Sequence, residues 1–335
     1  MNTFIECALF VAGLAFGSFL NVCITRIPRD ESVVRPRSHC RECGHFIGWR
    51  DNIPVLSFLL LRGRCRACSV TIPYRYPVVE LLTAVVFSAC YLLYGPTWIT
   101  LKFCILGFLL IGLIFMDAET GLLPHEFTYP GIGLGLALSW PIPFDPAGTW
   151  LLLLIFHKHV DSIRWLSLLD SALGALVGAA FFYLAWAMYY LARKRHGLGF
   201  GDIALIAMTG AFLGLKLNVL VLVCGPILTV MYILVLLVRE LLRPRSQGPA
   251  PALCDAEVLA TAQHGLSGAD GIPTATAWET HKDPIQPAAD AKHETQEEPP
   301  FLERELPFGV FLGICALLTI FFGEAAWTWY LGKFR

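Results

Sequence analysis

Gly199-Phe200-Gly201-Asp202 sets an ionisable carboxylate at the mouth of an apolar run, Ile203 to Leu217, whose composition is that of a membrane-embedded segment. A charge there is costly. In membrane segments such side chains face a protein-lined or water-filled interior and carry function, which makes Asp202 a candidate site residue. The plainer reading also stands: Asp is a favoured helix N-cap and the flanking glycines permit a tight entry, so Asp202 equally suits an interfacial helix start.

A second carboxylate shifts the balance. Asp117 closes another apolar run, Trp98 to Met116, and precedes a short polar break, Ala118-Glu119-Thr120-Gly121-Leu122-Leu123-Pro124. Two carboxyl groups that share one proton activate water in aspartic proteases, and a Gly-x-Gly-Asp paired with a distant membrane-edge Asp points to that chemistry. Coincidence of two structural acids is the alternative. If the acids form a dyad, helix ends assign the roles. Asp202, at an amino end with free N–H groups, is the base, and Asp117, at a carboxyl end, is the acid.

The surrounding chain is 335 residues long, 56% hydrophobic and 15% charged, with apolar runs recurring almost end to end. This is the composition of an all-α polytopic membrane protein. The runs read as spans at Ile5 to Ile24, Val78 to Tyr94, Trp98 to Met116, Phe127 to Trp140, Leu168 to Leu191, Phe200 to Leu217, Val219 to Val238 and Phe308 to Leu331, about eight transmembrane helices. Leu151 to Phe156 is too short to cross and reads as an interfacial segment. No basic residue precedes the first run, and Arg26 and Arg29 follow it, so it reads as a retained span with its N-terminus outside. Basic residues then collect in the first long connection and at Arg193-Lys194-Arg195-His196, whereas the opposite connections hold only Lys158, Arg164 and Lys216. Charge bias and span parity therefore both put the two aspartates on the cytoplasmic side.

The first long connection, residues 26–76, is rich in arginine and holds Cys40-x2-Cys43 and Cys65-x2-Cys68, separated by residues 44–64. That spacing suits two knuckles sharing one tetrahedral zinc, and a reducing cytoplasm disfavours the competing disulfide reading. His39 and His45 adjoin the first knuckle as substitute ligands, although four thiols already complete a site. Residues 244–306 are rich in Pro, Ala, Gln, Thr and acids and read as a disordered cytoplasmic linker. The expected organisation is a first helix (1–25), a tetracysteine loop (26–76), a six-helix membrane core with both aspartates (77–243), the acidic linker (244–306) and a last helix (307–335).

Several motifs together resemble the type IV prepilin peptidases. In the amino-terminal half they are Gly17-Ser18-Phe19-Leu20-Asn21-Val22 with Arg26-Ile27-Pro28, the two Cys pairs around Trp49-Arg50-Asp51-Asn52-Ile53-Pro54, and Arg75-Tyr76-Pro77-Val78-Val79-Glu80. In the other half they are Asp117 with Leu123-Pro124, Gly199-Phe200-Gly201-Asp202, and Pro307-Phe308-Gly309. The resemblance covers most of the chain. It implies an aspartic endopeptidase of the bacterial inner membrane that removes the basic leader of prepilins or pseudopilins after a glycine. It also implies methylation of the new amino terminus from S-adenosylmethionine, and service to a pilus or type II secretion machinery rather than to nucleic acid. On this resemblance Asp117 and Asp202 are catalytic and Cys40, Cys43, Cys65 and Cys68 bind metal. Ala204, where the family commonly has Lys, and His125, where an acid often follows Leu-Pro, depart from the pattern. Competing readings are a Gly-x-Gly-Asp intramembrane protease with another substrate and a proton-coupled transporter. The latter usually shows paired half-repeats, which are not evident here.

Overall fold

A computed structural model describes residues 2–144, 162–194, 199–242 and 308–333. The expected linker at 244–306 and the interfacial segment at Leu151 to Phe156 lie outside the described residues. The fold is all-α: α1 (Asn2–Arg26), α2 (Leu56–Leu60), α3 (Arg75–Tyr94), α4 (Trp98–Thr120), α5 (His125–Ser139), α6 (Ile163–Arg193), α7 (Phe200–Leu242) and α8 (Phe308–Gly332). Met1–Leu234 with Glu305–Arg335 forms one compact unit; the other, Val235–Arg304, is described only through the last residues of α7.

Helices α1, α3, α4, α6, α7 and α8 are long and apolar enough to cross a membrane. The expected count of eight crossings is therefore not what the helix lengths give. The Phe127 to Trp140 run lies in α5, whose 15 residues reach about 22 Å, short of a hydrocarbon core of about 30 Å. The two runs expected at 200–217 and 219–238 belong to α7, which is interrupted at Gly214.

At Gly214 the chain turns back on itself. Thr209 Oγ1 donates to Asn218 Oδ1 at 2.8 Å, and Asn218 Nδ2 reaches Ile206 O at 3.4 Å. Nine residues of unbroken helix would span about 13 Å, so these bonds require the chain just after Gly214 to fold back beside residues 206–213. Gly214 makes the reversal at φ 76°, a conformation in which a side chain is strained. Asp170 of α6, 2% exposed, closes it by accepting the Leu215 N–H at 3.2 Å. A Cβ on Gly214 would lie 1.9 Å from Asp170 Oδ2. Gly214→Ala is thus expected to destabilise the protein by about 2–5 kcal/mol, from strain and overpacking together, read as a lowered melting temperature in detergent. Wild-type melting would mean that the reversal is not as described.

Around this turn lies a buried polar group at the end of the bundle away from Asp117. Lys102, 1% exposed near the start of α4, donates to Ser139 Oγ at 3.0 Å, and Ser171 Oγ donates to Ser139 Oγ at 2.7 Å. Lys216 pairs with Glu324 at 2.7 Å. Each charge has a polar partner, the condition for keeping it among apolar helices.

The remaining packing is by close approach. Gly13 and Gly17 of α1 bring that helix so near α3 that added Cβ atoms would lie 2.5 Å from Ala84 Cα and 2.6 Å from Glu80 Cα, a small-xxx-small contact. Helix α4 is the centre of the bundle, with Phe103, Leu106, Leu110, Ile111, Leu113 and Met116 fully buried between its neighbours. It ends at Gly121, in the left-handed region, whose N–H bonds Asp117 O at 2.9 Å. That places the Asp117 carboxyl in the last turn, at the same end as Arg75 at the start of α3, which is ion-paired to Glu119.

Candidate functional site: an aspartate pair and a four-thiol cluster

Asp117 and Asp202 are both buried, 6% and 8% exposed. Each comes from a different helix terminus: Asp117 from the last turn of α4, Asp202 from the first turn of α7, where its N–H bonds Gly199 O at 3.2 Å. Leu123, in the connection between α4 and α5, packs against Gly201 of α7 and Gly309 of α8. A Cβ on Gly201 would lie 2.7 Å from Leu123 Cβ, and one on Gly309 would lie 2.8 Å from Leu123 Cδ1 and 2.9 Å from Asp117 Oδ2. The second glycine of Gly-x-Gly-Asp is therefore needed for the approach of α7 to Leu123.

The third contributor is α8. Its N–H at Val310 donates to Asp117 Oδ2 at 2.8 Å, one of the amide donors that a helix start leaves without an intrahelical partner. This changes the helix-end reasoning about the two acids. Asp117 does sit at the carboxyl end of its own helix, but its carboxylate also faces the amino end of another, so helix ends no longer separate the pair into base and acid. Val310→Pro, in the first turn of α8, removes that N–H, and Gly309→Ala pushes on the same oxygen. Both are expected to lower kcat of the dyad's reaction by about tenfold or more, the worth of one hydrogen bond to a charged group, with KM little changed. Equal loss in KM alone would place α8 in substrate binding instead.

The four sequence-matched thiols also come together. The Sγ atoms of Cys40, Cys43, Cys65 and Cys68 lie within 4.8 Å of one another, and Cys40 and Cys68 are 3.8 Å apart, unlinked by disulfide. A tetrahedron of Zn–S bonds of about 2.3 Å has edges of about 3.8 Å, so the cluster fits such an ion. Its two halves repeat one local structure. Cys40 N bonds His45 O and Gly44 N bonds Cys40 O; Cys65 N bonds Val70 O and Ser69 N bonds Cys65 O. Gly44 and Ser69 both take positive φ. The N–H groups of Cys68 and Ala67 draw the Cys65 thiol down to about 7, which supplies a thiolate near neutral pH. Neither His39 nor His45 joins the cluster, and His39 Nδ1 instead faces Arg37 O at 3.0 Å. Arg66, beside the second knuckle, makes a two-pronged bond to Asp51 at 2.8 and 2.6 Å and holds that carboxyl below the usual range.

Sequence reading gave no role to Asn21, Glu80, Leu123 or Val310. Asn21, Glu80 and Leu123 stand in quoted motifs, but the partners of the first two, Tyr76 O and Val55 N, are backbone atoms that no residue pattern reveals.

Two family models match the chain. Residues 11–94 match the bacterial peptidase A24 N-terminal domain, and residues 104–234 match the type IV leader peptidase family. A Myxococcus xanthus protein named prepilin leader peptidase/N-methyltransferase is 43% identical over 209 residues, 61% of this chain and 55% of that protein. Proteins of the same name from Neisseria gonorrhoeae and Klebsiella pneumoniae are 37% and 39% identical over 230 and 216 residues, in each case 62% of this chain, and 73% and 84% of those proteins. No solved structure matches the chain.

Proposed function

The chain belongs to the type IV leader peptidase family, and from that premise we propose that it is a membrane aspartic endopeptidase. It cuts prepilins or pseudopilins after the glycine that ends their basic leader and methylates the amino terminus so exposed. The observation that carries the proposal is two buried aspartates at separate helix ends, Asp202 next to Gly201 and Asp117 against Gly309, with both glycines packed on Leu123. One ionised carboxyl takes a proton from water while the other, protonated, donates to the scissile carbonyl oxygen, so the pair enters and leaves each turnover sharing one proton. The Val310 N–H keeps Asp117 oriented through that exchange.

The four thiols hold zinc as a structural ion that fixes the Arg-rich loop. The basic character of that loop supports a cytoplasmic position for both it and the dyad in the inner membrane. S-Adenosylmethionine supplies the methyl group, and the pilus or type II secretion machinery receives the product.

The test is leader removal by the purified enzyme in detergent, read by mass spectrometry of a prepilin peptide. The expected product ends its leader at glycine. A protein that binds the peptide without cutting it, or that conducts protons instead, would overturn the reading.

A further inference from the structure

Helix α2, in the Cys loop between the two knuckles, is built inside out. Ser57 is 6% exposed, its Oγ donating to Arg50 O and accepting the Ile53 N–H, each at 2.9 Å. Leu59 and Leu60 are 65% and 71% exposed, and Leu56 is exposed beside them. A helix in water turns its polar side outward. Single exposed leucines need no explanation, but a buried polar group beneath a contiguous apolar patch does.

The position of α2 supplies one. The N–H of Val55, the residue before it, donates to Glu80 Oε2 at 2.7 Å, and the ring of Phe58 lies 5.7 Å from that of Tyr74, the residue before α3. Helix α3 has 20 residues, about 30 Å, which is the thickness of a hydrocarbon core alone. Glu80 comes about 7.5 Å along it from Arg75, so α2 lies against the outermost stretch of a membrane-crossing helix, between the levels of Glu80 and Tyr74. Amphipathic segments at a bilayer surface rest at this depth, with the apolar face about 5–10 Å into the boundary between headgroups and acyl chains. Val78, Leu81 and Val85 of α3 are exposed at helical spacing and give α3 an apolar outer face of its own.

The flanks suit the same surface. From residue 52 to 79 the chain holds four arginines and no acid. Arg66 is paired with Asp51 and Arg75 with Glu119, whereas Arg62 and Arg64 are exposed just beyond α2, with no ion pair among the described residues. Before α2 stands Trp49, exposed, with the Arg50 guanidinium 5.3 Å from its ring. Tryptophan and snorkelling basic side chains are what flank membrane segments at headgroup level.

We infer that α2 is an interfacial foot: Leu56, Leu59 and Leu60 enter the acyl boundary of the leaflet in which α3 begins, and Arg62 and Arg64 meet the phosphates of anionic lipid there. A second copy of the chain is the poorer occupant, because it would have to displace lipid from a face set at this depth. The foot holds residues 55–60 at the bilayer, and the knuckles on either side still depend on their thiols. The inference rests on the membrane crossing of α3 and not on the peptidase reading.

The experiment reconstitutes the full-length enzyme in vesicles of phosphatidylethanolamine and phosphatidylglycerol, the latter carrying a photoreactive diazirine on its acyl chain. Irradiation and peptide mapping are expected to label residues 56–61, together with 78–85 as the internal control, and to leave 38–48 unlabelled. Leu59→Glu combined with Leu60→Glu is expected to abolish the label in 56–61 and to open the chain to trypsin after Arg62 and Arg64, while 78–85 stays labelled. Were these leucines in water, the same exchange would change neither readout. Unlabelled 56–61 beside labelled 78–85 in the unaltered enzyme overturns the foot, as does label that persists in the double variant. A benzophenone side chain placed at position 59 is expected to capture lipid, and capture of a second enzyme chain instead also overturns it. The map on unaltered enzyme decides the matter if the double variant misfolds.

Discussion

Asp117→Asn and Asp202→Asn are each expected to lower leader cleavage by about three orders of magnitude or more, the scale on which positioned general acids and bases act. The substitution is chosen because it removes the titration and little else. An Asn at 117 still offers an oxygen to the Val310 N–H, so the contact between α4 and α8 survives and the melting profile should hold. Because the two carboxyls work as a unit, the double variant is expected to be no worse than either single one. Cleavage within tenfold of wild type by either folded variant would remove the pair from the mechanism.

The second large effect concerns metal. From Ile27 to Tyr76 the only residue that is buried is Ser57, while Phe46, Trp49, Leu59 and Leu60 are exposed. A segment so poor in core has little besides its ligands to hold it, and structural zinc in small peptides supplies an apparent ~10–16 kcal/mol of folding free energy. The purified enzyme should contain about one zinc per chain, the ratio of one ion to four thiolates. Stripping it, or replacing Cys40 or Cys65 by Ser, should expose the thiols to alkylation and open the loop to proteases between residues 27 and 74. Acidification should act in the same direction, because protons compete with metal for thiolates. A metal-free loop that stays resistant to protease would contradict this account.

Much of the site was legible in the sequence because it rests on local rules. Cys spacing forecasts the knuckles, and the parity of apolar runs puts Asp117 and Asp202 at the same end of the bundle, where Leu123 packs against both Gly201, beside Asp202, and Gly309, beside Asp117. What escaped depends on contacts between distant segments. The reversal at Gly214 falls inside a run that stays apolar on both sides, so hydropathy placed the break at residue 218. Lys216 reads as a loop charge but is buried against Glu324, and Asp170 hides within an apolar run because its partner is a backbone amide. The role assignment within the dyad loses its argument for the same reason. Helix-end reasoning sees only the helix that bears the residue, and the donor to Asp117 belongs to α8, 193 positions away.

That donor has a practical consequence for mutational mapping. Helix α8 serves Asp117 through a main-chain N–H, which every amino acid except proline supplies equally well. An alanine scan of 308–333 would therefore miss this contact, and at Gly309 would register bulk alone. Amide-to-ester exchange or proline at Val310 is the perturbation that sees the contact. Tolerance to side-chain substitution in this segment thus measures the chemistry of the probe and not the distance of the segment from the reacting bond.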